Sequence, residues 1–175
     1  MRKPYAKKID SQATRLLREL NLYRAPVDVA AVAKALSADV VFEVLEDDTS
    51  GFLLREDGVS TIAINARHHP NRQRFTLAHE CGHLHLHADK GDRLWLDKTS
   101  LFFRDQNSST GDQFAEIEAN QFAAGLLMPE GLIAEGVEGF IEEMDIVRLA
   151  VKFEVSERAM TVRLVSLGLI ESVAS

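Results

Sequence analysis

The sequence predicts an α+β fold in which a small, mainly antiparallel sheet of about three strands packs against a central helix, with helical segments at both ends. Apolar residues recur at spacings of three and four near the N-terminus and again in the second half of the chain. The segment between these regions is rich in β-branched residues and reads as strands. With 175 residues, 46% hydrophobic and 27% charged, the chain has the composition of a soluble globular protein.

The first part of the chain is predicted to form two helices and then the sheet. Helical spacing covers residues 9–20 and 27–36, and Pro26 suits the opening of the second helix. Strands are predicted at residues 40–45, 51–55 and 59–65. Asp57 and Gly58 stand between the last two strands, which predicts a hairpin there.

A central helix is predicted from Pro70 through His87, because proline suits a first turn and the residues that follow have helical spacing. Residues 89–112 are polar and irregular. We therefore expect a loop there, with at most one short strand around Leu101–Phe103.

The last part of the chain is predicted to be helical. Residues 114–128 form a second strong helix, which Pro129 ends. Residues 141–170 resemble two helices joined at Glu154–Ser156. We accordingly expect a main domain over residues 1–140 and a small helical segment over residues 141–175.

Charge and cysteine content exclude several classes of function. The net charge is −7, but residues 1–24 carry +5, which leaves −12 on the rest; direct DNA binding is therefore not expected. The basic segment at residues 1–24 is predicted to be a solvated helix face, with a docking surface for an acidic partner as the alternative.

No segment is apolar enough for a membrane span or a secretory signal, so we expect a cytoplasmic protein. Cys81 is the single cysteine, which leaves His, Asp and Glu as candidate metal ligands.

All six histidines lie within residues 68–87, and two of them frame the sequence HECGH. This sequence fits the HExxH pattern of zinc peptidases. On a helix, His79 and His83 lie about 40° apart and one turn along, so both imidazoles can reach one cation. Glu80 projects about 100° away from His79, which suits a general base better than a ligand. The alternatives are an exposed helix without chemistry, or a structural zinc site, for which the chain lacks the usual cysteines.

A catalytic zinc needs a third protein ligand. The longer pattern HExxHxxGxxH fails, because Leu86 and Asp89 occupy its Gly and last His positions. The next predicted helix offers Glu116 and Glu118 in an apolar setting, where a carboxylate is costly without a partner. We favour Glu116, because Asn120 stands one turn later and can orient a ligating histidine by a hydrogen bond. Glu118 stays open as the alternative.

Three segments together resemble the ImmA/IrrE-type zinc metallo-endopeptidases: TIAIN at 61–65, RQRFTLAHECGH at 72–83 and EIEANQFAAGLLMP at 116–129. The resemblance implies a zincin-like fold for residues 1–140, with His79, His83 and Glu116 as metal ligands and Glu80 as the catalytic base. It also implies a cytoplasmic peptidase that cuts, or acts with, helix-turn-helix repressors. The implied ion is zinc, with manganese as an alternative.

Two further hypotheses concern the substrate and a competing function. The edge of the strand at 59–65 is expected to hold an extended substrate by β-augmentation. Residues 149–168 resemble the helix-turn-helix of transcription regulators, which would make the chain a metal-sensing DNA-binding protein. A separate possibility is an inactive relative of the peptidases that serves as an antitoxin or scaffold. Against DNA binding, only Arg158 and Arg163 lie on the would-be recognition helix. The intact HECGH argues against lost chemistry.

Overall fold

The structure, a computed structural model, describes residues 4–87, 93–98, 110–137 and 139–171. These residues have an α+β architecture. Their helices are α1 (Pro4–Glu19), α2 (Val29–Ala35), α3 (Pro70–His87), α4 (Thr110–Leu127), α5 (Glu130–Ala134), α6 (Glu143–Phe153) and α7 (Glu157–Leu167). Their strands are β1 (Ala38–Glu43), β2 (Thr49–Glu56), β3 (Val59–Asn65) and β4 (Arg93–Lys98).

The strands form one sheet with the order β1-β3-β2-β4. β1 runs parallel to β3, whereas the β2–β3 and β2–β4 pairings are antiparallel, which confirms a mainly antiparallel sheet. The predicted hairpin is also confirmed: Asp57 and Gly58 join β2 to β3 with positive φ angles of 49° and 79°.

The sheet has one strand more than the three or so that the sequence predicts, because β4 lies at one of its edges. β4 lies in the segment that the sequence predicts to be irregular. It forms a strand there by pairing antiparallel with β2. The short strand expected around Leu101–Phe103 lies outside the described residues.

β3 is an inner strand, which overturns the expectation that its edge holds a substrate. Ile62 of β3 pairs with Val40 of β1 on one side and with Leu53 of β2 on the other. Because both neighbours use the backbone hydrogen-bonding groups of β3, an extended peptide cannot add there. In the described part of the sheet the outer strands are β1 and β4.

The motif helix α3 packs directly on the sheet. Leu53, Ile62 and Ile64 are fully buried on the inner face. At Gly51 of β2 an added Cβ would lie 2.7 Å from Cγ2 of Thr76 on α3, so the strand and the helix are in close contact. α4 packs against α3 and also contacts α1, so α3 lies between the sheet and α4. This burial fixes the position of the HECGH sequence.

A buried ion pair connects the first helix to the last. Arg163 of α7 is 2% exposed, and its Nη2 lies 2.9 Å from Oδ2 of Asp10 on α1. Its Nε donates to the carbonyl of Met128 at 3.0 Å, and Gln121 Nε2 donates to Asp10 Oδ1 at 2.6 Å. Burial lowers the pKa of Arg163 to about 10, although the charge of Glu130 opposes that shift. Arg163 is therefore an internal residue, unavailable to DNA phosphates.

The C-terminal helices share the core of the rest of the chain. Leu149 and Phe153 of α6 and Leu164 of α7 belong to the same buried cluster as Leu17 of α1. The predicted boundary at residue 140 falls between α5 and α6, and the division into two units stays a prediction. In the described part of the chain, no helix combines the length and apolar character that a membrane crossing requires.

Candidate metal centre

α3 places its two motif histidines side by side inside the protein. His79 and His83 are each 1% exposed, and their Nε2 atoms lie 3.1 Å apart. Their rings meet nearly at right angles, with centroids separated by 4.7 Å. The spacing of one helical turn produces this arrangement, because residues i and i+4 lie on the same helix face.

α4 brings one carboxylate to both imidazoles. Glu116 Oε2 lies 3.1 Å from His79 Nε2, and Glu116 Oε1 lies 3.2 Å from His83 Nε2. Glu118 points elsewhere: its Oε2 lies 3.7 Å from His87 Nε2. The structure therefore brings Glu116, and not Glu118, together with His79 and His83. We refer to these three residues as the metal triangle.

The metal triangle fits a zinc ion in both chemistry and size. Two imidazoles and one carboxylate form a known ligand set of catalytic zinc, and they leave a fourth position for water or substrate. Tetrahedral ligands at about 2.0–2.1 Å from zinc lie about 3.3 Å from one another. The two Nε2 atoms lie 3.1 Å apart, and each lies 3.1–3.2 Å from a different oxygen of the Glu116 carboxylate, which is close to that value.

The electrostatics of the triangle favour the protonation states that ligate a metal. Burial lowers the pKa of His83 to about 4, and the hydrogen bond with Glu116 only partly opposes it. His83 is therefore neutral at physiological pH, as a metal ligand must be. Burial favours the protonated form of Glu116, but its contacts with the imidazoles of His79 and His83 outweigh burial and lower its pKa to about 2.

Asn120 contacts the His79 ring at Nδ1, the ring nitrogen that does not face Glu116. Its Oδ1 lies 3.0 Å from His79 Nδ1. A carboxamide oxygen only accepts hydrogen bonds, so Nδ1 donates and the lone pair of Nε2 faces Glu116. Such a partner fixes the tautomer and the ring orientation of a metal-ligating histidine. The role of Asn120 at a bound metal stays a prediction.

Residues 33–165 match the family model of the IrrE N-terminal-like domain, a family of metallopeptidases. The chain belongs to this family. The resemblance to the ImmA/IrrE-type peptidases is thereby confirmed.

Two known proteins illustrate the similarity of this IrrE-like chain to others. The radiation response metalloprotease IrrE of Deinococcus radiodurans is 42% identical over 81 residues, which cover 46% of this chain and 23% of that protein. A transcriptional regulator of Mycobacterium tuberculosis has a similar structure, with a TM-score of 0.64 and 20% sequence identity. The match covers 91% of this chain and 46% of the regulator, and it concerns the fold alone. The chain thus spans less than half the length of either protein.

Glu80, the predicted base, is fully buried on α3 and follows His79 directly in the chain. The next residue, Cys81, is also fully buried; desolvation and the charge of Glu80 raise the pKa of its thiol. The thiol therefore stays protonated and packs as a small apolar group. The assignment of Glu80 as the base stays a prediction.

Gly82 is a residue that the sequence reasoning missed. A Cβ at this position would lie 3.1 Å from both Cα and O of Ala119 on α4, and 3.3 Å from Phe122 Cβ. Only glycine allows α4 to approach α3 this closely, and α4 carries Glu116. The glycine inside an otherwise good helix sequence is the signal that could have indicated a close helix contact.

The other histidines of this IrrE-like chain lie outside the triangle. His87 is 8% exposed, and its ring centroid lies 5.6 Å from that of His83. His85 is half-buried and contacts the ring of Phe122. His69 precedes α3, and its Nδ1 accepts a hydrogen bond from the backbone N–H of Asn71.

Proposed function

We propose that this IrrE-like chain is a zinc-dependent endopeptidase that cuts a peptide bond in a regulatory protein. The observation that carries the proposal is the metal triangle, in which one possible ligand atom from each of His79, His83 and Glu116 lies within 4.8 Å of the others. The name of the similar Deinococcus protein, a metalloprotease, supports the same class of reaction. Manganese is an alternative ion for the same residues.

Different residues of the chain have different roles in the proposed hydrolysis. When bound, zinc would supply Lewis acidity that polarises the scissile carbonyl and acidifies water. The carboxylate of Glu80 takes the proton from the attacking water and passes it to the leaving amine. Asn120 keeps His79 in the ligating tautomer. Water attacks the carbonyl directly, without an acyl intermediate on the protein.

The proposed substrate is a helix-turn-helix repressor in the cytoplasm. The family resemblance suggests this class of protein, and electrostatics support it. The chain carries a net charge of −7, whereas a repressor exposes basic residues toward DNA phosphates. Opposite net charges increase the rate of encounter.

Incubation with the repressor encoded in the neighbouring operon tests the proposal. We expect fragments in the mass spectrum with zinc and none with a chelator. Glu80→Gln is expected to keep the fold and the bound zinc while abolishing cleavage, because an amide cannot accept the proton. Glu135→Gln, at an exposed position after α5, is the matched control and should cleave normally. Undiminished cleavage by Glu80→Gln would remove Glu80 from its role, and cleavage in the chelator would refute the metal dependence.

A further inference from the structure

A groove of about 550 Å³ lies between α3, α4 and α7. We call it the α4–α7 groove. Its lining includes Phe75 of α3, Ile117 and Asn120 of α4, and Arg158, Val162 and Arg163 of α7. Its volume lies within the range of small-molecule sites in proteins, about 300–1,000 Å³.

The walls of this groove are largely apolar and uncovered. Ile117 is 49% exposed and Val162 is 62% exposed, and both line the groove. Phe75 is partly buried and packs against the core from the α3 side. An apolar group placed here would remove these side chains from water, which is favourable in proportion to the buried area.

The charged residues of the groove are all positive. Arg158 and Arg163 line it, and among the described residues that do so there is no Asp or Glu. Arg158 is exposed, and Arg163 is almost completely buried. Arg163 Nη1 has no hydrogen-bond acceptor among the described residues. Arg163 is already paired with Asp10, so Arg158 is the cation of the groove that a ligand can reach, and apolar walls beside this cation are complementary to an apolar anion.

The groove and Glu116 lie at opposite edges of the His79 ring. Asn120 lines the groove and contacts Nδ1 of His79, whereas Nε2 of the same ring faces Glu116. The His79 ring and Asn120 therefore separate an occupant of the groove from the reacting peptide bond. An occupant would nevertheless contact the residue that orients His79.

We propose that the α4–α7 groove binds a small apolar carboxylic acid that acts as an effector of the metal centre. The apolar body lies against Ile117 and Val162, and the carboxylate pairs with Arg158. Contact with Asn120 fixes its carboxamide and thereby the orientation of His79, so the acid strengthens zinc binding. Binding of the acid is independent of the function proposed above; its effect on zinc rests on that function.

Calorimetric titration with decanoate tests the binding. We expect one decanoate per chain, in both the chelator-treated and the zinc-loaded protein, with decanol binding about tenfold more weakly because it lacks the charge. Arg158→Ala should weaken decanoate binding by about the same factor. Val162→Asp should abolish it, whereas Val151→Asp, an exposed valine on α6 that is not part of the groove lining, should bind normally.

Several results would overturn the site. Failure of decanoate to bind the chelator-treated chain would do so, as would equal binding by the Val162→Asp and Val151→Asp proteins. Light scattering after gel filtration provides an independent measurement. A dimer that only Val162→Asp converts to a monomer would mean that a second copy of the chain covers the groove, which also refutes the proposal.

Zinc affinity with and without decanoate tests the effector role. We expect zinc to bind at least about fivefold more tightly with decanoate, and decanoate to bind more tightly with zinc by the same factor. In the Asn120→Ala chain, zinc affinity should be the same without decanoate and with saturating decanoate. Equal zinc affinity in both conditions in the unaltered chain would overturn the effector role. A chain that binds decanoate but no zinc would refute both the coupling and the proposed peptidase, while the site itself would stand.

Discussion

The close contact at Gly82 yields a quantitative prediction for Gly82→Ala. The new methyl carbon would lie 3.1 Å from Cα and O of Ala119, whereas carbon contacts are optimal at about 3.5–4.0 Å. α4 must therefore move outward by roughly 0.5 Å. Glu116 lies one turn before Ala119 on the same helix, so its oxygens move away from the imidazoles by a similar amount.

This displacement should affect zinc more than folding. Metal–ligand distances tolerate only about 0.2 Å, so we expect zinc affinity to fall about 10–100-fold. Overpacking costs about 1–3 kcal/mol, but replacing a helical glycine by alanine returns about 1 kcal/mol. The free energy of unfolding should therefore fall by only about 0–2 kcal/mol.

Competition with a chromophoric chelator measures the zinc affinity, and urea unfolding in EDTA measures the stability. The double variant Gly82→Ala with Ala119→Gly is the control. It should not restore zinc affinity, because the methyl group meets the Cα and O atoms of Ala119, which glycine retains. Zinc affinity equal to that of the unaltered chain in Gly82→Ala would refute the reasoning.

Three further predictions concern single side chains. Glu116→Gln should lose bound zinc and Glu118→Gln should keep it, as metal analysis of the purified proteins will show; the reverse pattern would refute the assignment of the third ligand. Arg163→Ala should lower the free energy of unfolding by about 3–5 kcal/mol, because it leaves Asp10 charged and buried. Adding Asp10→Ala should recover part of this loss in urea unfolding, and an additive double variant would contradict the ion pair. Ser156→Ala should cost about 1 kcal/mol in the same assay, since the Ser156 hydroxyl accepts from Ala159 N–H at the start of α7; an unchanged midpoint would exclude the cap.

The sequence predicts best the features that depend on neighbouring residues. The HECGH segment lies on a helix because its pattern is local, and a spacing of four residues is enough to bring His79 and His83 together. The hairpin at Asp57–Gly58 is local in the same way. The ends of helices are predicted less accurately: the first helix is predicted to begin at residue 9, but α1 begins at Pro4.

Contacts between distant segments explain most of the differences. β4 is short, and pairing with β2 rather than its own composition makes it a strand. β3 becomes an inner strand because β1 returns parallel to it, a pairing that no local pattern indicates. Arg163 resembles an exposed helical arginine in the sequence, because its partner Asp10 belongs to the first helix of the chain. The sequence already favours Glu116 over Glu118, and the packing of α4 on α3 is what brings Glu116 to the two histidines.

The pairing of Asp10 with Arg163 limits how the protein can be shortened. A fragment that ends before α7 keeps Asp10 but lacks the guanidinium, and one that begins after α1 has the opposite defect. Either deletion leaves a lone charge at the surface of α4, the helix that holds Glu116 and Gln121. The smallest fragment that preserves the zinc-ligand geometry should therefore include both Asp10 and Arg163, and tags or fusions belong outside that span.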